Sequence, residues 1–173
     1  MEVTLSEDGV LIFDHLDPFL AEILRQIPQA ADPEGDERAL HRLLPTPTHA
    51  DGEEEFIDDW NEFVRPELKQ LFGDAMDDVV EDLSRIEYNE ERTIARLTID
   101  PDHAESWLNA TNQARVVLCE RHRFTEKELE SDLALSFESR RDLALVQMNF
   151  YAMIQEIVLR WTMGELPDDD EAL

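Results

Sequence analysis

The stretch WLNATNQARVVL, Trp107–Leu118, carries apolar residues at three- and four-residue spacing. This spacing is typical of a helix with one buried face. Asn112 and Arg115 lie three residues apart among leucines and valines, so the pattern predicts that both occupy one side of the helix. We therefore single out Trp107, Asn112 and Arg115 as candidate residues for interaction with a partner or for bracing of the fold.

Arg115 lies close to the apolar stripe, and a buried guanidinium needs carboxylates or carbonyls around it. One interpretation is that Arg115 pairs with an internal acidic residue and braces a helical bundle. The other is that it binds an acidic group of a partner bidentately. Internal acids are plentiful, which favours bracing, and Arg115→Ala would then lower the free energy of unfolding by about 2–4 kcal/mol.

Helical spacing continues on both sides of this stretch. Asp17-Pro18 and Asp100-Pro101 have the form of a capping residue followed by proline at the first helical position. Pro28 is expected to end the first helix, and Pro66 to break or restart a later one. Residues 140–163 are apolar almost all round, which is typical of a buried helix. The sequence thus predicts a mainly α, single-domain helical bundle around this buried C-terminal helix.

Two short regions predict β structure instead. Val3 and Leu5 alternate with polar residues, a turn signal follows at 7–9, and 10–13 is β-prone, so we expect a small N-terminal β-hairpin. Residues 92–99 fit a third short strand or an extended link. We expect 1–166 to form a single helical domain with this hairpin, and 167–173 to be a disordered acidic tail.

Acidic residues dominate the charge of the chain. Its 173 residues include 42 Asp and Glu against 15 Lys and Arg, a formal net charge of -27. Direct binding to nucleic acid or to an anionic membrane is disfavoured, because both depend on basic residues. The acidity is consistent with adaptation to salt or with a surface that meets a basic protein.

Targeting and redox signals are absent from the sequence. The N-terminus lacks the basic and apolar regions of a signal peptide, and no apolar run is long enough to span a bilayer. The one cysteine, Cys119, cannot form an internal disulfide. We therefore expect a cytoplasmic protein.

The run DAMDDVVEDL, Asp74–Leu83, is the best candidate for metal chemistry. Its acids fall on two helical faces and would give a metal-dependent enzyme its ligands. The apolar residues between them favour a solvated acidic side of a core-packed helix. His and Cys form no ligand pattern, and no nucleophile or phosphate-binding motif occurs, so we assign no catalytic residue, metal ligand or cofactor.

The opening stretch also resembles a known family. The WLxALNxxRxVLxxR core of a bacterial family of unknown function is matched by Trp107-Leu108, Ala110, Asn112, Arg115, Val117-Leu118 and Arg121. LDPFLAEILRQI near the N-terminus and the aromatic-rich final helix resemble the two ends of that family. The resemblance implies no established activity. It does imply a link to the ClpS adaptor, beside which members are often encoded, and so a protein partner in the Clp protease system.

These observations favour a non-enzymatic, acidic protein-interaction or regulatory module. One alternative is a nucleic-acid mimic whose carboxylates imitate phosphates and occupy a basic protein. Another is a metal-dependent enzyme that uses the acidic face from Asp74 to Asp82. The sequence leaves the oligomeric state open.

Overall fold

A computed structural model describes residues 1–48, 50, 52–130 and 139–166. Most of them are helical. In chain order the elements are β1 (Glu2–Leu5), β2 (Leu11–Leu16), α1 (Pro18–Arg25), α2 (Ile27–Ala31), α3 (Glu37–Leu43), α4 (Glu54–Asp59), a π-helical turn (Trp60–Val64), α5 (Arg65–Ser84), β3 (Glu87–Tyr88), β4 (Ala95–Ile99), a 3-10 turn (Pro101–His103), α6 (Ala104–His122), α7 (Glu126–Glu130) and α8 (Arg140–Thr162).

The strands form one antiparallel sheet in the order β1-β2-β4-β3. The predicted N-terminal hairpin is confirmed, with Val3 opposite Phe13 and a turn closed by Ser6 and Gly9. Gly9 has a φ of +80°, a value that glycine adopts without strain. The third strand is also confirmed: β4 lies beside β2, with Leu97 opposite Phe13. β3 was not predicted, because two residues carry no periodic signal.

α6 is the central helix of the described chain. It packs against α2, α3, α5 and α8, whereas the main neighbour of α8 is α6. The prediction of a bundle around the C-terminal helix is therefore not confirmed. The prediction relied on the number of apolar residues in 140–163, but Leu159 and Met163 of that region are exposed. The buried face of α6 consists largely of small residues such as Ala110 and Ala114.

One buried apolar cluster joins the sheet to the helices. β2 and β4 contribute Phe13 and Leu97, and α8 contributes Tyr151, all fully buried. The phenolic hydroxyl of Tyr151 donates to the carbonyl oxygen of Ile23 on α1 across 2.8 Å. Burial raises the pKa of Tyr151, so this hydroxyl stays a donor. The sheet, α1 and α8 thus share one core.

The helix starts follow their capping signals, but the predicted stops differ. Asp17 accepts from the backbone N–H of Phe19 at 2.8 Å, with Pro18 at the first position of α1, as predicted. Pro28 does not end this helix. α1 ends at Arg25, and Pro28 lies in the first turn of α2. A proline is tolerated there because the N–H groups of a first turn have no partner within the helix.

Of the two outcomes predicted for Pro66, a break or a restart, the structure has the restart: α5 begins at Arg65 with Pro66 in its first turn, directly after a π-turn. In the preceding π-turn the N–H of Arg65 bonds to the carbonyl of Trp60, five residues back. We call residues 54–72 the acidic arm. α4 and the π-turn contact mainly the adjoining segments of this same helix.

The predicted acidic tail, 167–173, lies outside the described residues. The assignment of 1–166 to a single domain stays a prediction. At the start of α7, Glu128 accepts from both the N–H and the hydroxyl of Thr125.

Candidate functional site

The junction of α5 and α6 holds a buried carboxylate. Asp82 is 0% exposed although it lies on a helix rich in acids. The indole N–H of Trp107, which is also fully buried, donates to Oδ2 of Asp82 at 2.8 Å. Arg85, the residue directly after α5, approaches Oδ1 at 3.5 Å. Trp107 thus lies inside the protein, and its hydrogen-bond partner is an acid.

His103 completes this junction. Asp100 caps the 3-10 turn by accepting from the N–H of Asp102, which places His103 directly before α6 and against α5. Its Nδ1 lies 3.1 Å from both carboxylate oxygens of Asp82, and its Nε2 lies 3.9 Å from Oδ1 of Asp78. The hydroxyl of Ser106 donates to Oδ2 of Asp78 at 2.6 Å. His103 therefore bridges two acids on successive turns of α5.

Burial is the largest influence on Asp82. It raises the pKa of this carboxyl, whereas the hydrogen bonds from Trp107 and His103 act in the opposite direction. Each of these donors favours the ionised form of a group that has lost its water. The junction thus ties α5 to α6 through a carboxyl that needs both donors.

The junction contains a serine, a histidine and acids, but not in the arrangement of a nucleophilic triad. A triad requires the serine hydroxyl to donate to the histidine that activates it. Here Ser106 donates to Asp78, and Nδ1 of His103 faces Asp82. This arrangement does not activate Ser106 through His103.

The acidic face that was considered for metal binding does not converge. Asp74, Asp77 and Glu81 are exposed, as the solvated-face interpretation predicts, but that interpretation is wrong for the buried Asp82. Asp82 lies in the same helical phase as Val79 and Leu83, which pack in the core. Across the described ranges, no three His, Cys, Asp or Glu side chains are placed to hold a metal ion.

Arg115 lies on another side of α6 and points toward α8. Its NH1 donates to the side-chain oxygen of Gln155 at 2.5 Å, while its Nε is buried and has no partner among the described residues. The expected internal carboxylate is replaced by a neutral amide. Arg115 therefore links α6 to α8 by a hydrogen bond, and no ion pair of Arg115 is found within the described ranges.

Contrary to the sequence prediction, Asn112 does not lie on a common side of α6 with Arg115. Its side chain is exposed, whereas its neighbours Thr111 and Gln113 are buried. A separation of three residues turns a helix by about 300°, so a polar pair can straddle the edge of a buried face. The three residues singled out from the sequence thus occupy three different surroundings.

Sequence reasoning missed His103 and Gln113, and it placed Asp82 on a solvated or metal-binding face although this residue is buried. The sequence signal for Asp82 and Gln113 was a polar residue at a helical position where apolar residues recur. Asp82 directly precedes Leu83, and Gln113 lies between the buried Ala110 and Val117. Gln113 also lines a cavity of about 610 Å³, which we call the α3 groove. The other residues lining this groove are Asp32, Pro33, Glu34, Gly35, Asp36, Glu37, Leu40, Leu43, Leu44, Lys69 and Phe72.

Membrane insertion finds no support in the helices described. None of them combines the length and the apolar character that crossing a bilayer requires.

Comparison with known proteins gives one match. A family model, the domain of unknown function DUF2017, matches residues 5–161 and so spans β2, β3 and β4, the α5–α6 junction and nearly all of α8. The searches of curated proteins and of solved structures found no match. Because the matched region covers most of the 173 residues, the chain belongs to the DUF2017 family.

Proposed function

We propose that this protein is a non-enzymatic interaction module that binds a basic protein through its acidic arm. The observation that carries the proposal is the composition of the arm's surface. Phe56, Phe63 and Leu71 are 53%, 59% and 54% exposed. Six exposed carboxylates accompany them on the same segment, Glu54, Glu55, Asp58, Asp59, Glu62 and Glu67.

Exposed apolar side chains among like charges are characteristic of a contact surface. Exposing large apolar groups to water is unfavourable, and the free energy falls when a partner covers them. The surrounding acids repel one another and other acidic proteins, so they select a partner that carries Lys or Arg. A charge of -27 on the whole chain adds long-range attraction to such a partner.

The α5–α6 junction supports a structural rather than a catalytic role for the polar interior. Its side-chain donors bond to buried or half-buried acids, and the hydroxyl of Ser106 donates to Asp78. We take the resemblance of the Trp107–Arg121 motif to a family encoded beside the ClpS adaptor as a pointer to the partner. The Clp protease system is accordingly the first place to look.

The test is an affinity pull-down from native lysate at low and moderate salt with three baits. The first bait is the wild-type protein, and the second carries Phe56→Ser and Phe63→Ser. The third carries Leu159→Ser, which removes an apolar side chain of similar exposure from α8. We expect basic proteins to be enriched by the first and third baits alone and to be lost as salt rises. Enrichment that is identical for all three baits would refute a role for the arm.

Clp components among the arm-dependent proteins would support the proteolytic link. A basic partner from another system would support the interaction module and remove that link. Direct titration of the purified partner against the same three proteins then gives the loss of affinity caused by the arm variant.

A further inference from the structure

The α3 groove lies where the acidic arm joins the body of the protein. Its apolar walls are Leu40, Leu43 and Leu44 from the α3 region and Phe72 from α5. Leu40, Leu43 and Phe72 are only partly buried, so their apolar surface faces the open groove. A volume of about 610 Å³ lies within the range of sites that enclose a bound molecule.

The rim of this groove is acidic. Asp32, Glu34, Asp36 and Glu37 belong to the loop before α3 and its first turn. Among the described lining residues, Lys69 is the only cation. Four carboxylates facing one ammonium give the rim a net negative charge, which attracts a cationic occupant and disfavours an anionic one.

Gln113 supplies an unused donor in the lining. Its side chain is only 6% exposed, and its Nε2 has no hydrogen-bond partner in the described chain. Buried amide groups are almost always bonded, because an unmade bond leaves the lost hydration uncompensated. This Nε2 atom is itself buried, so an acceptor in the groove, such as a peptide carbonyl, would bond to it once the Gln113 side chain turns toward the groove.

We propose that the α3 groove receives a short protein segment with an exposed leucine- or phenylalanine-sized side chain flanked by Lys or Arg. The apolar side chain packs against Leu40, Leu43 and Phe72. The flanking cations meet the acidic rim, and a backbone carbonyl accepts from Gln113. This inference rests on the proposed function, since it identifies the part of a basic partner that would dock beside the arm.

The probe is a fluorescein-labelled pentapeptide with a central leucine between two pairs of lysines. Two control peptides carry serine in place of leucine, or glutamate in place of lysine. Fluorescence anisotropy measures binding to the wild-type protein, to Leu43→Asn in the groove wall and to Leu159→Asn on the exposed face of α8. Thermal unfolding of each variant shows that it is folded.

We expect saturable binding of the leucine–lysine peptide to wild type and to Leu159→Asn, with at least tenfold weaker binding to Leu43→Asn. Both control peptides should bind at least tenfold more weakly. Side-chain amide resonances in a ¹⁵N correlation spectrum provide a second measurement. The Gln113 signal, assigned by its loss in Gln113→Leu, should move when the peptide is added.

Absence of saturable binding would overturn the proposal, as would equal binding of the serine peptide or unchanged binding to Leu43→Asn. A Gln113 signal that moves with protein concentration alone would place a second copy in the groove and also overturn it. The pull-down separates the two proposals. Leu43→Asn is added to it as a fourth bait. If this bait keeps the arm-dependent partner, the groove inference fails and the interaction module stands. If the wild-type protein captures no basic partner, the proposed interaction module is refuted. The peptide titration then tests binding in the α3 groove separately.

Discussion

The indole N–H of Trp107 donates to Oδ2 of Asp82 across 2.8 Å, and neither side chain is exposed. A buried carboxylate is tolerated only where donors replace its water. Trp107 provides one donor from α6, and His103 provides another from the turn before it. This pair of helices is therefore held by polar contacts inside an apolar core.

Replacement of Trp107 tests this relationship. Trp107→Phe keeps an aromatic ring and removes the N–H, so Asp82 loses a donor inside the core. We expect the free energy of unfolding to fall by about 2–4 kcal/mol, measured by urea denaturation. Trp60→Phe, on the arm, is the matched control and should change it by less than about 1 kcal/mol. A small effect at Trp107 would mean that Asp82 does not depend on this donor.

The raised pKa of Asp82 predicts how stability changes with pH. Below the ordinary carboxyl pKa of about 3.9, Asp82 is neutral in both states and its full contribution is present. As pH rises through the higher pKa of the folded state, folding must keep an ionised group buried, and that contribution is lost. The stability of wild type relative to Asp82→Asn should therefore decrease with rising pH.

Chemical denaturation at several pH values measures this difference. Asp77→Asn removes an exposed carboxylate from the same helix and is the reference for loss of one surface charge. A wild-type advantage over Asp82→Asn that grows with pH would contradict the prediction.

The Arg115–Gln155 contact predicts a moderate effect rather than the loss of an ion pair. Because the partner is a neutral amide, Arg115→Ala strands no carboxylate in the described chain. We expect it to lower the free energy of unfolding by about 1–2 kcal/mol. In a double-mutant cycle with Gln155→Ala, the coupling energy should be about 0.5–1.5 kcal/mol. Additive effects of the two variants would show that this bond does not contribute.

Glu128 gives a pH prediction at the start of α7. Arg141 lies 2.6 Å from its Oε1, and together with the bonds from Thr125 this lowers the pKa of Glu128 to about 2. A lowered pKa stabilises the fold at pH values above the ordinary carboxyl range, and the contribution is lost as pH falls toward about 2. Titration by NMR should show the Glu128 carboxyl ionised well below that range. Arg141→Met should raise its pKa, and an unchanged value would argue against this contact.

Local signals in the sequence predict much of this fold. Asp17-Pro18 and Thr125 to Glu128 start helices because their caps act within a few residues, and the hairpin follows from alternation around a turn. The contacts between helices are harder to predict, because they depend on angle as well as spacing. Asn112 falls just outside a buried face that Gln113 shares, although one residue separates them.

The candidate site shows the same limit. The apolar periodicity of 74–83 suggests which acids face solvent, yet it gives no partner for the acid in the apolar phase. Asp82 is stabilised by residues 21 and 25 positions away in the chain, His103 and Trp107. Such pairs exist only after α5 and α6 have packed.

The π-turn at Trp60–Val64 has a geometric consequence for the whole protein. In an uninterrupted α-helix, Trp60 and Val79 would lie about 100° apart around the axis. The additional residue of a π-turn cancels an offset of about this size, so helix geometry brings Trp60 and Val79 toward the same side of the axis. The turn thereby determines which way the side chains of the arm face around the helix axis. Deletion of a single residue within 60–64 would rotate the surface that the arm offers to a partner, while the packing of α5 on α6 stays in place.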